Sequence, residues 1–103
     1  MPITIEEEGG RFLIRLEAEV NITVARELKN LLVQGLASGK DLCVDLERAT
    51  ELDVTALQLL WTVGREARSA GTGFAITGLV PEGLSTAVVE AGFEKLLVPK
   101  DPN

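Results

Sequence analysis

A chain of 103 residues has the usual size of one domain and can bury a single core without disulfide or metal staples. It carries 10 Lys and Arg against 16 Asp and Glu, a net charge of −6 shared evenly between its halves, which disfavours a polyanionic partner such as DNA or an anionic membrane surface. Histidine and tyrosine are absent and Cys43 is the lone cysteine, so imidazole-activated nucleophiles, imidazole metal ligation, thiolate zinc sites and intramolecular disulfides are all excluded.

Ile3-Thr4-Ile5 alternates, Gly9-Gly10 interrupts, and Phe12, Ile14 and Leu16 resume the alternation, which predicts a hairpin of two short strands. Its edge is a candidate surface for a homodimer. From Thr23 the period changes: Val24, Leu28, Leu31, Leu32 and Leu36 recur at helical spacing before Ser38-Gly39, predicting a helix over 24–37. Leu42 to Leu46 reads as a short central strand, apolar on both faces, in which Cys43 is a buried small hydrophobe. A second helix is predicted over about 56–70, with Ala56, Leu57, Leu60, Val63, Gly64 and Ala67 on one arc. Thr55-Ala56-Leu57-Gln58 has the spacing of a capping box with Thr55 as the cap. Phe74 to Leu79 is a further strand, Pro81 opens a third helix in which Leu84, Val88 and Ala91 share a side, and Leu96-Leu97-Val98 forms a last strand before a polar tail over 99–103.

A hairpin followed by alternating strands and helices implies one α/β domain spanning 1–103, its core about 3–98: a mixed sheet with crossover helices packed on it. The acidic Glu6-Glu7-Glu8 near the N-terminus has neither the basic nor the apolar region of a signal peptide. The apolar runs fall far short of the ~20 residues of a membrane span. The expectation is a cytoplasmic protein that does not insert into membranes.

Catalytic chemistry would rest on carboxylates. Asp45, Glu47, Glu51 and Asp53 crowd the stretch before the second helix, and such groups can do acid and base work when burial splits their pKa values. Solvated strand-end charges are the simpler account, since Asp and Glu are mostly exposed. Gly71-Thr72-Gly73 follows a helix and precedes a strand, the reverse of a phosphate cradle. The segment Leu52-Asp53-Val54-Thr55-Ala56-Leu57 puts a hydroxyl at a helix start with an aspartate two residues before it. Helix capping explains Thr55, and a phosphate there would also meet the positive end of the helix.

Together, Leu42–Leu46, the acidic connector, Asp53–Leu57, the helix after it, Ala70-Gly71 and the strand leading to Pro81 resemble a STAS domain, over about residues 3–98. That domain occurs in bacterial anti-sigma-factor antagonists and in the cytoplasmic tails of sulphate transporters. Regulatory members carry Asp-Ser-Ser-Gly-Leu, with the second serine phosphorylated by a kinase that is also the anti-sigma factor. The resemblance sets Asp53 at the aspartate, Val54 at the first serine, Thr55 at the phosphorylated serine, Ala56 at the glycine and Leu57 at the leucine. Leu16-Glu17-Ala18-Glu19-Val20-Asn21 resembles the family's Leu-x-Gly-x-Leu-Asp, with Asn21 where an aspartate helps form the same pocket.

The resemblance implies a non-enzymatic partner-switching module that needs no cofactor or metal. Its partners would be an anti-sigma factor with serine-kinase activity and a cognate phosphatase. The phosphorylation site would be Thr55, and the partner-binding residues Asn21, Asp53, Val54, Ala56, Gln58, Trp61, Thr62 and Arg65. Gln58, Thr62 and Arg65 lie opposite the apolar arc of the second helix and Trp61 at its edge, where a tryptophan serves either as an anchor or as packing against a neighbouring helix. Asn21, Val54 and Ala56 depart from the regulatory pattern. They suit equally an unphosphorylated accessory subunit of a membrane phospholipid-transport ATPase.

Overall fold

A computed structural model of the chain describes residues 3–93, so the strand expected at Leu96–Val98 and the tail lie outside the described residues. Strands β1 (Ile3–Glu8) and β2 (Arg11–Val20) form the expected hairpin, with Glu8 opposite Arg11 and Ile3 opposite Leu16. The two-residue turn needs a positive φ at its first position, which Gly9 adopts at +56°. Helix α1 (Ile22–Ser38) crosses to β3 (Asp41–Leu52), which runs parallel to β2. Helix α2 (Val54–Ser69) then crosses to β4 (Phe74–Thr77), parallel to β3, and α3 (Glu82–Glu90) follows. The sheet order is β1-β2-β3-β4. Both crossovers step the same way across the sheet, and because such connections are right-handed, α1 and α2 fall on one face.

Phe12, Ile14 and Leu16 of β2 and Leu42, Val44 and Leu46 of β3 present that face and are all buried. Leu28 and Leu32 of α1 and Leu60 of α2 pack onto it with no exposed area. Each helix approaches the sheet through a glycine. A Cβ on Gly35 would stand 2.7 Å from Leu42 Cδ1, and one on Gly64 would stand 3.1 Å from Phe74 Cδ2. The apolar spacing of α1 and α2 thus encodes a face, and the glycines set how closely that face lies on the sheet.

Two strands are longer than their sequence pattern suggests. β2 continues to Val20 and β3 to Leu52, so Glu47–Glu51, read from the sequence as connector, belongs to a strand. The pairing shifts register between Arg15 and Glu17 and again between Ala18 and Glu19. Alternation cannot survive such bulges, which add residues to one strand and turn later side chains to the other face. Ala18 takes φ +58° at this point, the only non-glycine with positive φ among the described residues. It occupies the glycine position of the Leu-x-Gly-x-Leu-Asp segment, and the fold shows why glycine suits it: left-handed backbone costs an L-residue about 1–2 kcal/mol.

Candidate functional site

The parallel ends of β2 and β3 bring two helix starts side by side. Val20 pairs with Leu52, and the amide of Asp53 donates to the carbonyl of Val20 at 2.9 Å. The next residue on each strand caps a helix. Asn21 Oδ1 accepts from the amides of Thr23 and Val24, both at 3.1 Å, and Asp53 Oδ1 accepts from the amide of Thr55 at 2.8 Å. Each cap is followed by an exposed β-branched hydrophobe, Ile22 at 53% and Val54 at 56% exposure. Beside the caps a groove of about 490 Å³ separates the strand ends from α3. Glu19, Glu51 and Asp53 supply carboxylates to it, Leu84 and Ala87 supply apolar surface, and none of its lining residues is Lys or Arg. The surface therefore offers apolar contact and negative charge around two sets of first-turn amides.

Several expected residues change role. Asp53, with extended backbone at φ −63° and ψ 150°, is the N-cap of α2, and the helix begins at Val54. Thr55 is thus the second helical residue, half-buried, and the capping box read from Thr55 and Gln58 does not form: the Asp53 carboxylate already takes the amide that defines the cap. Ala56, expected to touch a partner, is fully buried in the core beneath α2 and offers a partner no surface. Its methyl fills space between helix and sheet. Trp61 is half-buried and meets the Phe93 ring edge-on, with centroids 6.2 Å apart and planes at 65°. Packing inside the molecule accounts for its position. Pro81 is the N-cap of α3 and not its first residue, and Ala91 is exposed while Leu84 and Val88 are buried.

Asn21, Asp53 and Val54 meet at the carboxyl end of the sheet. Gln58, Thr62 and Arg65 extend from there as an exposed stripe along α2, where Thr62 and Arg65 border a shallow depression with Glu66 and Ser69. Ile22, Glu19 and the α3 residues Leu84 and Ala87 were not singled out from the sequence. The signal for Ile22 was present, since adjacent parallel strands place successive helix starts together.

The acidic stretch divides between two places. Glu51 and Asp53 face the groove, whereas Asp45 and Glu47 lie at a second cavity, of about 390 Å³, with Arg15, Glu17 and Arg48. Arg15 ion-pairs there with Glu6 and, at 3.6 Å, with Asp45. The hydrogen bond that Arg15 donates to the Glu6 carboxylate, and that carboxylate's charge, raise the guanidinium pKa above its ordinary value. Asp45 Oδ1 accepts from the Glu47 amide at 2.9 Å, which ties up one oxygen of that carboxylate within β3. Burial pushes the Cys43 thiol up from its usual value, in keeping with a small hydrophobe in the sheet. Among the described residues no three Asp, Glu or Cys side chains converge on a metal position, and no helix is long and apolar enough to cross a membrane.

A family model described as "Mlab, STAS domain" matches residues 3–99. The chain belongs to the STAS-domain family. A search of curated proteins by sequence returned no match. Solved structures share the fold at low identity. The anti-sigma factor antagonist SpoIIAA in its unphosphorylated form superposes with a TM-score of 0.78 at 13% identity, over 97% of this chain and 89% of that one. An anti-sigma factor antagonist from Mycobacterium paratuberculosis gives 0.76 at 19% identity, over 92% and 80%. A sulfate transporter family protein from Wolinella succinogenes gives 0.70 at 24% identity, over 86% and 72%. The fold of this STAS domain is therefore shared by chains with little sequence in common.

Proposed function

We propose that this STAS domain is a non-enzymatic, cytoplasmic protein-docking module that engages an anti-sigma factor of the serine-kinase type through the carboxyl end of its sheet. The observation that carries the reading is the pairing of the Asn21 and Asp53 caps with exposed Ile22 and Val54 beside the acidic groove. An apolar patch with polar surroundings is the surface a protein partner desolvates at modest cost. The exposed stripe of Gln58, Thr62 and Arg65 extends the contact along α2.

Thr55 is the residue a kinase partner would modify. A phosphate there would sit in the first turn of α2, where helix amides favour it, and would place a charge of about −1.5 to −2 beside Asp53. Repulsion and desolvation would then weaken docking while leaving the helix intact. A cognate phosphatase would reverse the change. Incubation with the cognate kinase and ATP, followed by intact mass, tests this step: wild type gains one phosphate and Thr55→Ala gains none. Absence of phosphate on wild type would overturn phosphoregulation.

A second reading, a constitutive accessory subunit of a membrane phospholipid-transport ATPase, is favoured by Val54. An exposed aliphatic side chain there supplies permanent contact area where regulatory members have a hydroxyl. Co-purification separates the readings. Stable capture of a permease with its ATPase supports the second, and capture of an anti-sigma factor released by phosphorylation supports the first.

A further inference from the structure

The outer edge of the hairpin forms a second surface, remote in sequence from the paired helix starts. β1 pairs only with β2 among the described residues. In a two-residue hairpin the flanking residues Glu8 and Arg11 exchange hydrogen bonds, and by alternation so do Glu6 with Leu13 and Thr4 with Arg15. The backbone N–H and C=O groups of Ile3, Ile5 and Glu7 therefore point outward. The side chains of Ile3 and Ile5 share the helix-covered face, where they border a groove of about 360 Å³ with Glu27, Asn30 and Leu31 of α1. Ile5 is 42% exposed. Among the described residues, one strand edge thus carries unpaired backbone groups and an apolar groove together.

Edge strands are commonly guarded by charge, and β1 carries three glutamates. Two of these are neutralised within the chain, Glu6 by Arg15 and Glu7 by Lys40 at 3.0 Å. We propose that a second copy of this chain docks on β1, the two edge strands pairing antiparallel about Ile5 to make one continuous sheet. In this register Ile5 faces its own symmetry mate, Ile3 faces Glu7, and Thr4 faces Glu6. No glutamate opposes another, so the overall charge of −6 does not concentrate at the contact. Cross-strand isoleucines close together then stabilise the pair, with each groove flanking the new strand. The surface is its own complement, as a two-fold contact requires.

A six-residue edge and its groove bury less than the roughly 1,200–2,000 Å² of a stable interface, so the dimer is weak and concentration-dependent. Sedimentation velocity from about 5 to about 500 µM, a range that brackets such weak contacts, is expected to move from monomer to dimer. Ile5→Lys is expected to remain monomeric throughout, while Val89→Lys, at an exposed apolar position on α3, dimerises like wild type. Hydrogen exchange gives a second readout that needs no variant: the Ile5 and Glu7 amides gain protection as concentration rises. A wild type that stays monomeric at the top of the range overturns the proposal. So does a dimer indifferent to Ile5→Lys in a folded variant. Protection of those amides at every concentration also overturns it, because the edge would then be covered from within the chain.

Discussion

Helices α1 and α2 are built to one plan, and comparing their two ends shows which features serve the fold and which serve the surface. Each starts with an extended cap residue whose side-chain oxygen accepts first-turn amides, then exposes a β-branched hydrophobe, and further along lies on the sheet through a glycine. They differ in charge. The α1 cap is the neutral amide of Asn21 and the α2 cap is the carboxylate of Asp53, which faces the groove with Glu19 and Glu51. Stability needs an acceptor at each cap, which either residue supplies. The negative charge at α2 is available for a partner.

The common plan breaks hardest at the glycines. Gly35→Val is expected to destabilise by about 1–3 kcal/mol, the range for overpacking a tight core. Gly64→Val should cost less, because its added Cβ has 3.1 Å to its nearest neighbour against 2.7 Å at Gly35. Thermal unfolding of the two variants measures the order. Removing the caps comes next. Asn21→Ala and Asp53→Ala should each lose ~1 kcal/mol, read from denaturant midpoints at unchanged slope, and similar losses would show that the caps do the same structural work.

Ala18→Gly probes the bulge that leads into the α1 cap. Relief of the left-handed alanine is expected to raise stability by about 1 kcal/mol, less the glycine's greater freedom when unfolded. The smallest effect isolates charge alone. Asp53→Asn keeps an acceptor and removes the carboxylate from the positive helix end, so it should lose only about 0.3–1 kcal/mol at low salt, and less as salt is added. A loss that grows with salt would contradict the electrostatic assignment.

Most of the element order was legible because the apolar residues of α1 and α2 repeat at helical spacing and Gly9-Gly10 marks a turn. The carboxyl halves of β2 and β3 were not legible. The register shifts around Glu17–Glu19 destroy alternation, and Glu47–Glu51 then resemble a solvated connector. The start of α2 misled for a different reason. Thr55 and Gln58 have the right spacing for a capping box, but Asp53 two residues earlier competes for the same amide, and its short carboxylate takes it. The resemblance set Asp53 and Asn21 at one pocket, and the structure places them side by side as the caps of α2 and α1. Ala56 belongs to the apolar arc of α2, as its helical spacing indicates, and only its motif position suggested a partner contact, because a motif position carries no information about which way a side chain faces. The contribution of α3 to the groove depends on tertiary packing and has no local signature.

The proposed docking surface at the start of α2 has a charge separable from its structural role. Titration of the cognate anti-sigma factor against wild type, Asp53→Asn and Val54→Lys tests it most directly, with the melting temperature of each recorded alongside. Docking there predicts at least a tenfold loss of affinity, about 1.4 kcal/mol, for Val54→Lys and a weaker partner complex for Asp53→Asn, in proteins that melt within a few degrees of wild type. Unchanged affinity in both folded variants would contradict it.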